Sequence, residues 1–136
     1  MSSISAIALS GLNAASLRLQ VSASNVANAQ STGAQPNADG TVPAGAPQAY
    51  APLEVVQSAS AGGGVQASVT TVTPSTTSVF DPQASFANQD GLVASPNVDL
   101  AGEFVGQLLA SYSYAANATV LKTNDRMTRS LLDIMA

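Results

Sequence analysis

Apolar positions along the chain fall into three stretches with different periods. Over residues 4–29, Leu12, Leu19 and Val26 recur every seven residues, with Ala8, Ala15, Ser22 and Ala29 set three after or four before them. This a/d-like spacing predicts a helix with one large and one small partner per heptad. Ile7, Leu9, Ala14 and Val21 widen the apolar surface beyond a single seam, and Arg18 is the only charged side chain in the stretch. A solvated helix face carries several charges, so the helix is expected to touch protein on more than one side; a single helix on one small core is the simpler alternative. Over residues 98–136, Val98, Val105, Leu109, Tyr112, Ala116, Val120, Thr123, Met127, Leu131 and Ile134 advance in steps of three, four and seven. That spacing predicts one long helix of about 50 Å or more, at 1.5 Å per residue. Pro96 and Asn97 precede it as stop and cap, while Asp99 and Glu103 compensate its positive dipole end.

Between the helices the period changes. All seven prolines lie in residues 30–97, together with the turn signals Asp39-Gly40, Gly62-Gly63-Gly64 and Asp90-Gly91. The stretches at 50–57, 65–73 and 78–80 are β-compatible; in the second, Val65, Ala67, Val69 and Thr71 alternate with Gln66, Ser68, Thr70 and Val72. The predicted fold is therefore mainly α with a small β-rich insert: one subunit of an N-terminal helix (1–29), a loop and β-rich insert (30–97) and a C-terminal helix (98–136). Neither helix can hide its stripe on so small an insert. The two should pack as an α-helical hairpin or coiled coil, and both should also pack on neighbouring copies.

Composition sharpens this picture. The chain of 136 residues is 9% charged, against about 25% in an ordinary soluble domain. It has no cysteine, histidine or tryptophan and only 4% aromatic residues, with 46% apolar residues dominated by small ones. Without His and Cys, the commonest general base, nucleophile and transition-metal ligands are missing, so no catalytic, cofactor-binding or metal site is expected. A net charge of −4 opposes a nucleic-acid footprint. All of it sits in the insert, where Asp39, Glu54, Asp81 and Asp90 meet no base. An alanine-rich core buries little area per residue and stabilises a monomer weakly, which favours an assembly subunit.

Other chemistries fail on spacing. The three glycines at 62–64 are followed by no lysine or helix start, so they make no phosphate cradle. Asp39 and Asp90 lack the ligand spacing of a calcium loop. Residues 1–11 carry no Lys or Arg, so the basic n-region of a secretory signal is missing. The apolar stretch 104–121 is broken by Gln107, Ser111, Ser113, Asn117 and Thr119, which argues against a membrane span.

The two ends carry ordered motifs. The first runs Leu9-Ser10-Gly11-Leu12-Asn13-Ala14-Ala15-Ser16, then Ser24-Asn25-Val26-Ala27-Asn28-Ala29-Gln30-Ser31-Thr32-Gly33. The second runs Phe80-Asp81-Pro82, Asp90-Gly91-Leu92-Val93-Ala94-Ser95-Pro96-Asn97-Val98-Asp99, Glu103-Phe104 and Tyr114-Ala115-Ala116-Asn117-Ala118. It closes with Leu121-Lys122-Thr123 and Leu132-Asp133-Ile134. In this order they resemble the bacterial flagellar rod/hook axial family, most closely its proximal-rod type, which has a short middle without large inserted domains. Departures from the family pattern are Ser31 for Thr, Ala34 for the aromatic after the glycine, and Val26 for Ile.

The resemblance implies a non-enzymatic structural subunit of the flagellar basal-body rod, polymerised into a helical drive shaft that carries torque from motor to hook. It implies export through the flagellar type III apparatus without a cleaved signal peptide, and a periplasmic location. Partners would be copies of itself, other rod proteins and the export apparatus. The expected subunit interface comprises Leu9, Leu12, Ala15, Leu19, Asn25, Val26 and Asn28 on the first helix. On the second it comprises Val105, Leu109, Tyr112, Tyr114, Asn117, Met127, Leu131 and Ile134.

Within this set, Asn25 and Asn28 are expected either to bond a neighbour's backbone or simply to favour a helix C-terminus. Tyr112, Tyr114 and Asn117 invite a binding-box reading, yet Tyr112 sits on the main stripe and is expected in the core, and Tyr114 and Asn117 are expected to face another subunit. Asp125, Arg126 and Asp133 read as a solvated face, with inter-subunit ion pairs the alternative. Two other functions stay open: a secreted membrane-active or tip protein of a type III export system, and an alanine-rich coat protein.

Overall fold

The computed structural model describes residues 2–37 and 40–135, without the side chains of Ser2 and Ser3. Asp39, and with it half of the expected Asp39-Gly40 turn, lies outside the described residues, as do Met1 and Ala136. Six elements follow in the order α1 (Ser2–Asn28), β1 (Leu53–Ala59), β2 (Val65–Thr71), β3 (Thr76–Phe80), β4 (Leu92–Pro96) and α2 (Leu100–Met135). At 1.5 Å per residue, the 36-residue α2 is about 54 Å long.

The helices pack antiparallel. Asn124 Nδ2 donates to Ser5 Oγ at 3.0 Å near one end, and Gln107 Nε2 donates to Ser22 Oγ at 3.1 Å towards the other. Between them, Gly11 leaves room for the end of the Asn117 side chain, which a Cβ would meet at 2.6 Å. Buried side chains along α1 are small, chiefly Ala8, Ala14, Ala15 and Ser22, and Ala110 is the buried one of α2. The small partners of each heptad therefore form the seam, while Leu9 and Leu19 stay exposed.

The β1–β2 hairpin, in the register Leu53↔Thr71 to Ala59↔Val65, lies along α1. Its contacts run down the helix: Leu53 meets Asn25, Arg18 donates to Gln57 Oε1 at 3.0 Å, and Val65 N donates to Ser10 Oγ at 3.1 Å. Gly63 and Gly64 turn the hairpin with positive φ, beside Ile7 and Ser10. The alternation expected in β2 holds for Val65 and Ala67, which are half-buried, but Val69 and Thr71 are exposed.

The second hairpin pairs β3 with β4, from Thr76↔Pro96 to Phe80↔Leu92. The expected piece at 78–80 extends back to Thr76, and β4 has no counterpart among the expected strands. Leu92–Pro96 lies inside the motif 90–99 that carries the resemblance, and only Pro96 has a structural expectation, as the stop before the second helix. Gly33 exchanges backbone hydrogen bonds with Ala94 at 2.9 Å each way, adding the chain that leaves α1 to this sheet. Ala34, Val93 and Ala94 are buried beside this junction. A Cβ on Gly33 would collide with the backbone of residues 47–49, so only glycine fits.

The cap of α2 also differs from expectation. Asp99, not Asn97, caps the helix: its Oδ1 accepts from Ala101 N at 3.1 Å, and its carbonyl accepts the first helical bond, from Glu103 N at 2.9 Å. Asn97 instead closes the sheet, donating from its amide to Pro74 O and from its backbone to Ser75 O, each at 3.0 Å.

Candidate assembly interface

Where the helices meet the insert, one side chain joins all three. Asn25 is 1% exposed. Its Nδ2 donates to Leu53 O at 2.7 Å and to Glu103 Oε1 at 2.5 Å, while its Oδ1 accepts from Leu53 N and Tyr50 Oη at 3.0 Å each. Both amide hydrogens and both oxygen lone pairs are thus satisfied inside one chain. Within the chain this leaves Asn25 no free donor or lone pair to offer a neighbour's backbone. Asn28 follows the helix-terminus alternative: its Nδ2 donates to Ser24 O at 2.9 Å, and its carbonyl accepts from Ser31. Ala15 is buried in the seam, and Asn117 faces Gly11 while donating to Ser113 O at 2.8 Å. These two residues hold the subunit together from inside.

The rest of the expected set lies differently. Leu12 and Val26 are half-buried, and Leu9 and Leu19 are exposed. On α2, Val105, Leu109, Tyr112, Tyr114, Met127, Leu131 and Ile134 are all exposed. Tyr112, expected in the core, is 67% exposed, because α2 turns a different face to α1. The inward row is Glu103, Gln107, Ala110, Asn117 and Asn124, small or polar residues in hydrogen-bonding or van der Waals reach of α1. At 100° per residue, the row through Val105, Tyr112, Thr123 and Ile134 lies roughly two-fifths of a turn away, close to the opposite face.

Thirteen large apolar side chains of α2 are exposed. At about 25 cal/mol per Å², the roughly 1.5–3 kcal/mol gained on burying such a side chain corresponds to about 60–120 Å², so half-exposed they leave roughly 500–900 Å² open on one helix. A stable interface needs about 800 Å² per partner. The charged side chains Lys122, Arg126, Arg129 and Asp133 form a separate row, spaced four, three and four residues apart. Carrying the helix register onward, residues 129–135 extend about 10 Å past the start of α1, with Leu131, Leu132, Ile134 and Met135 exposed. Among the described residues no helix is long and apolar enough to cross a membrane, and no His/Cys/Asp/Glu group could hold a metal ion.

Two family models match the ends of the chain. Residues 6–35 match the model described as flagella basal body rod protein, and residues 89–134 match the flagellar basal body rod FlgEFG protein C-terminal model. Among similar proteins, a flagellar basal-body rod protein FlgC of Yersinia enterocolitica is 41% identical over 93% of this chain and 88% of its own. The FlgC of Salmonella typhimurium is 38% identical over 94% of this chain and 92% of its own. That of Agrobacterium fabrum is 31% identical over 99% and 95%.

Proposed function

The chain belongs to the flagellar basal-body rod protein family, and from that premise we propose that its exposed helical faces polymerise it into a helical rod. It is a structural subunit of the proximal rod type and not an enzyme. The alternative of a membrane-active or tip protein finds no support among its relatives. Assembly with other rod components follows from the family; copies of this chain, and coiled-coil packing between subunits, are the finer proposal.

The observation that carries it is the inverted distribution of side chains on α2. Small and polar residues face α1, and large apolar ones face outward along the helix. A monomer gains nothing from that arrangement; a tube of laterally packed helices buries it. Dense helix–helix contacts resist shear and twist, which suits a shaft that carries torque from motor to hook. In this reading Leu9, Leu19 and the exposed residues of α2 meet neighbouring subunits, while the β-hairpins face away from the helical layer.

Export through the flagellar type III apparatus, without a cleaved signal peptide, and placement in the periplasmic rod complete the proposal. Removing residues 1–28 should abolish both export and swimming, and normal swimming would refute it. For assembly, Tyr112→Asp is the direct test. It should leave the purified chain folded while basal bodies lack it.

A further inference from the structure

The end of the β3–β4 hairpin carries an exposed aromatic on a firm support. Phe80 is 69% exposed, and its ring lies over Gly91, where a Cβ would stand 2.9 Å from ring Cε2. Asp81 N donates to Gly91 O at 2.9 Å; Asn88 Oδ1 accepts from Asp90 N at 3.0 Å and from Leu92 N at 2.8 Å. These bonds hold the loop 81–91, so the ring and the exposed carboxylates of Asp81 and Asp90 form one preorganised tip.

A complementary surface lies at the other end of the helix pair. Ile4 of α1 and Val120, Thr123 and Met127 of α2 line a largely apolar groove of about 220 Å³, braced by the Ser5–Asn124 hydrogen bond. An apolar cavity of about 150 Å³ admits benzene, so a phenyl ring fits. At 100° per residue, Arg126 borders the Thr123 side of the groove, with Lys122 one turn before it.

We propose that the Phe80 tip of one subunit seats in the Ile4–Val120–Met127 groove of a second copy of this chain, Asp81 and Asp90 facing Lys122 and Arg126. This rests on the rod-subunit reading and names the partner surface within it. The occupant is a second copy because of charge and reach. The insert has acids and no base, whereas the three cations of α2 all lie in residues 122–129, outnumbering Asp125 and Asp133 on that end of the helix. Within one chain the contact is out of reach. The hairpin joins α2 at its start and spans five residues, about 17 Å, while the groove lies about 30 Å or more along the helix. Joining two different surfaces makes a heterologous contact, so each subunit offers a tip and receives one.

The chain has no cysteine, which makes cross-linking selective. Full-length chains carrying Phe80→Cys and Met127→Cys, each with its own tag, are co-expressed in cells lacking the native copy. Basal bodies are then treated with a short bismaleimide. A cross-linked dimer bearing both tags is expected, and none when Ser58→Cys replaces Met127→Cys. Asp90→Lys and Arg126→Glu should each lose assembled basal bodies, and their combination should restore them. Absence of the mixed dimer from assembled basal bodies, or normal assembly by Phe80→Ala chains, overturns the contact. Tyr112→Asp separates the failures: if it blocks assembly the rod-subunit reading survives, and if it does not, that reading falls too.

Discussion

Replacing Asn25 by Asp changes one atom's chemistry at the point where α1, α2 and β1 meet. The new side chain still accepts from Leu53 N and Tyr50 Oη, but it loses the donor to Leu53 O and sets a carboxylate about 2.5 Å from that of Glu103. Two like charges about 4 Å apart repel by about 4 kcal/mol at an effective dielectric near 20. Glu103 is only half-buried, so water screens part of this. With about 1 kcal/mol for the lost hydrogen bond, the expected destabilisation is about 3 kcal/mol at pH 7. The folded variant relieves the repulsion by binding a proton that the unfolded chain, near neutral pH, does not hold. Its stability relative to the parent therefore rises as pH falls toward about 4.

Combining Asn25→Asp with Glu103→Gln reverses donor and acceptor and should recover all but about 1 kcal/mol. Urea unfolding followed by circular dichroism, at pH 7 and pH 4.5 on dilute chain, measures both effects. Equal destabilisation at the two pH values, or no recovery in the double variant, would refute the assignment of Asn25 as the joint.

Further outcomes follow from the same geometry. Gly33→Ala should cost more than about 3 kcal/mol in urea unfolding, because its Cβ meets fixed backbone. Gly11→Ala should stay within about 1 kcal/mol of the parent, since it meets the end of the Asn117 side chain and gains about 1 kcal/mol of helix propensity. Asp99→Ala should cost about 1 kcal/mol through the lost cap of α2. Leu109→Asp should leave the unfolding midpoint of the isolated chain nearly unchanged, since the residue is exposed, yet exclude the chain from isolated basal bodies.

The long helices were legible because their periods run uninterrupted by proline, and the family marks lie on them. What the pattern could not assign was the inside. Counting large apolar residues found the row through Val105, Leu109, Tyr112 and Ile134 correctly as a row, but set Tyr112 in the core. The true seam is written in Ala8, Gly11, Ala15, Ser22, Ala110, Asn117 and Asn124, residues that a hydrophobic period scarcely registers. Strand β4 was hidden for a related reason. Its partners are Thr76–Phe80, across the eleven-residue loop 81–91, and the distant Gly33, and it ends in a proline that reads locally as a stop. Asn97 and Asp99 both suit a helix start, and only the claim of Pro74 and Ser75 on Asn97 decides between them.

That inversion bears on how such a subunit avoids premature assembly. Hydrogen bonds at Ser5–Asn124, Ser22–Gln107 and Asn25–Glu103 fix the antiparallel register of the helices through geometry. Sliding α2 by one turn would break all of them and drive Gly11 away from Asn117. A seam of large leucines would hold the hairpin more tightly, but it would tolerate slippage and draw the large side chains inward. Setting the register with small and polar groups leaves the apolar rows of α2 at defined positions on the outside, where a neighbour must match them. Replacing Ser22 and Asn124 by Ala removes two of these register bonds without adding volume, so it should cost about 1–2 kcal/mol in urea unfolding while lowering the yield of assembled basal bodies. Wild-type assembly by that double variant would show that seam polarity is irrelevant to the outer faces.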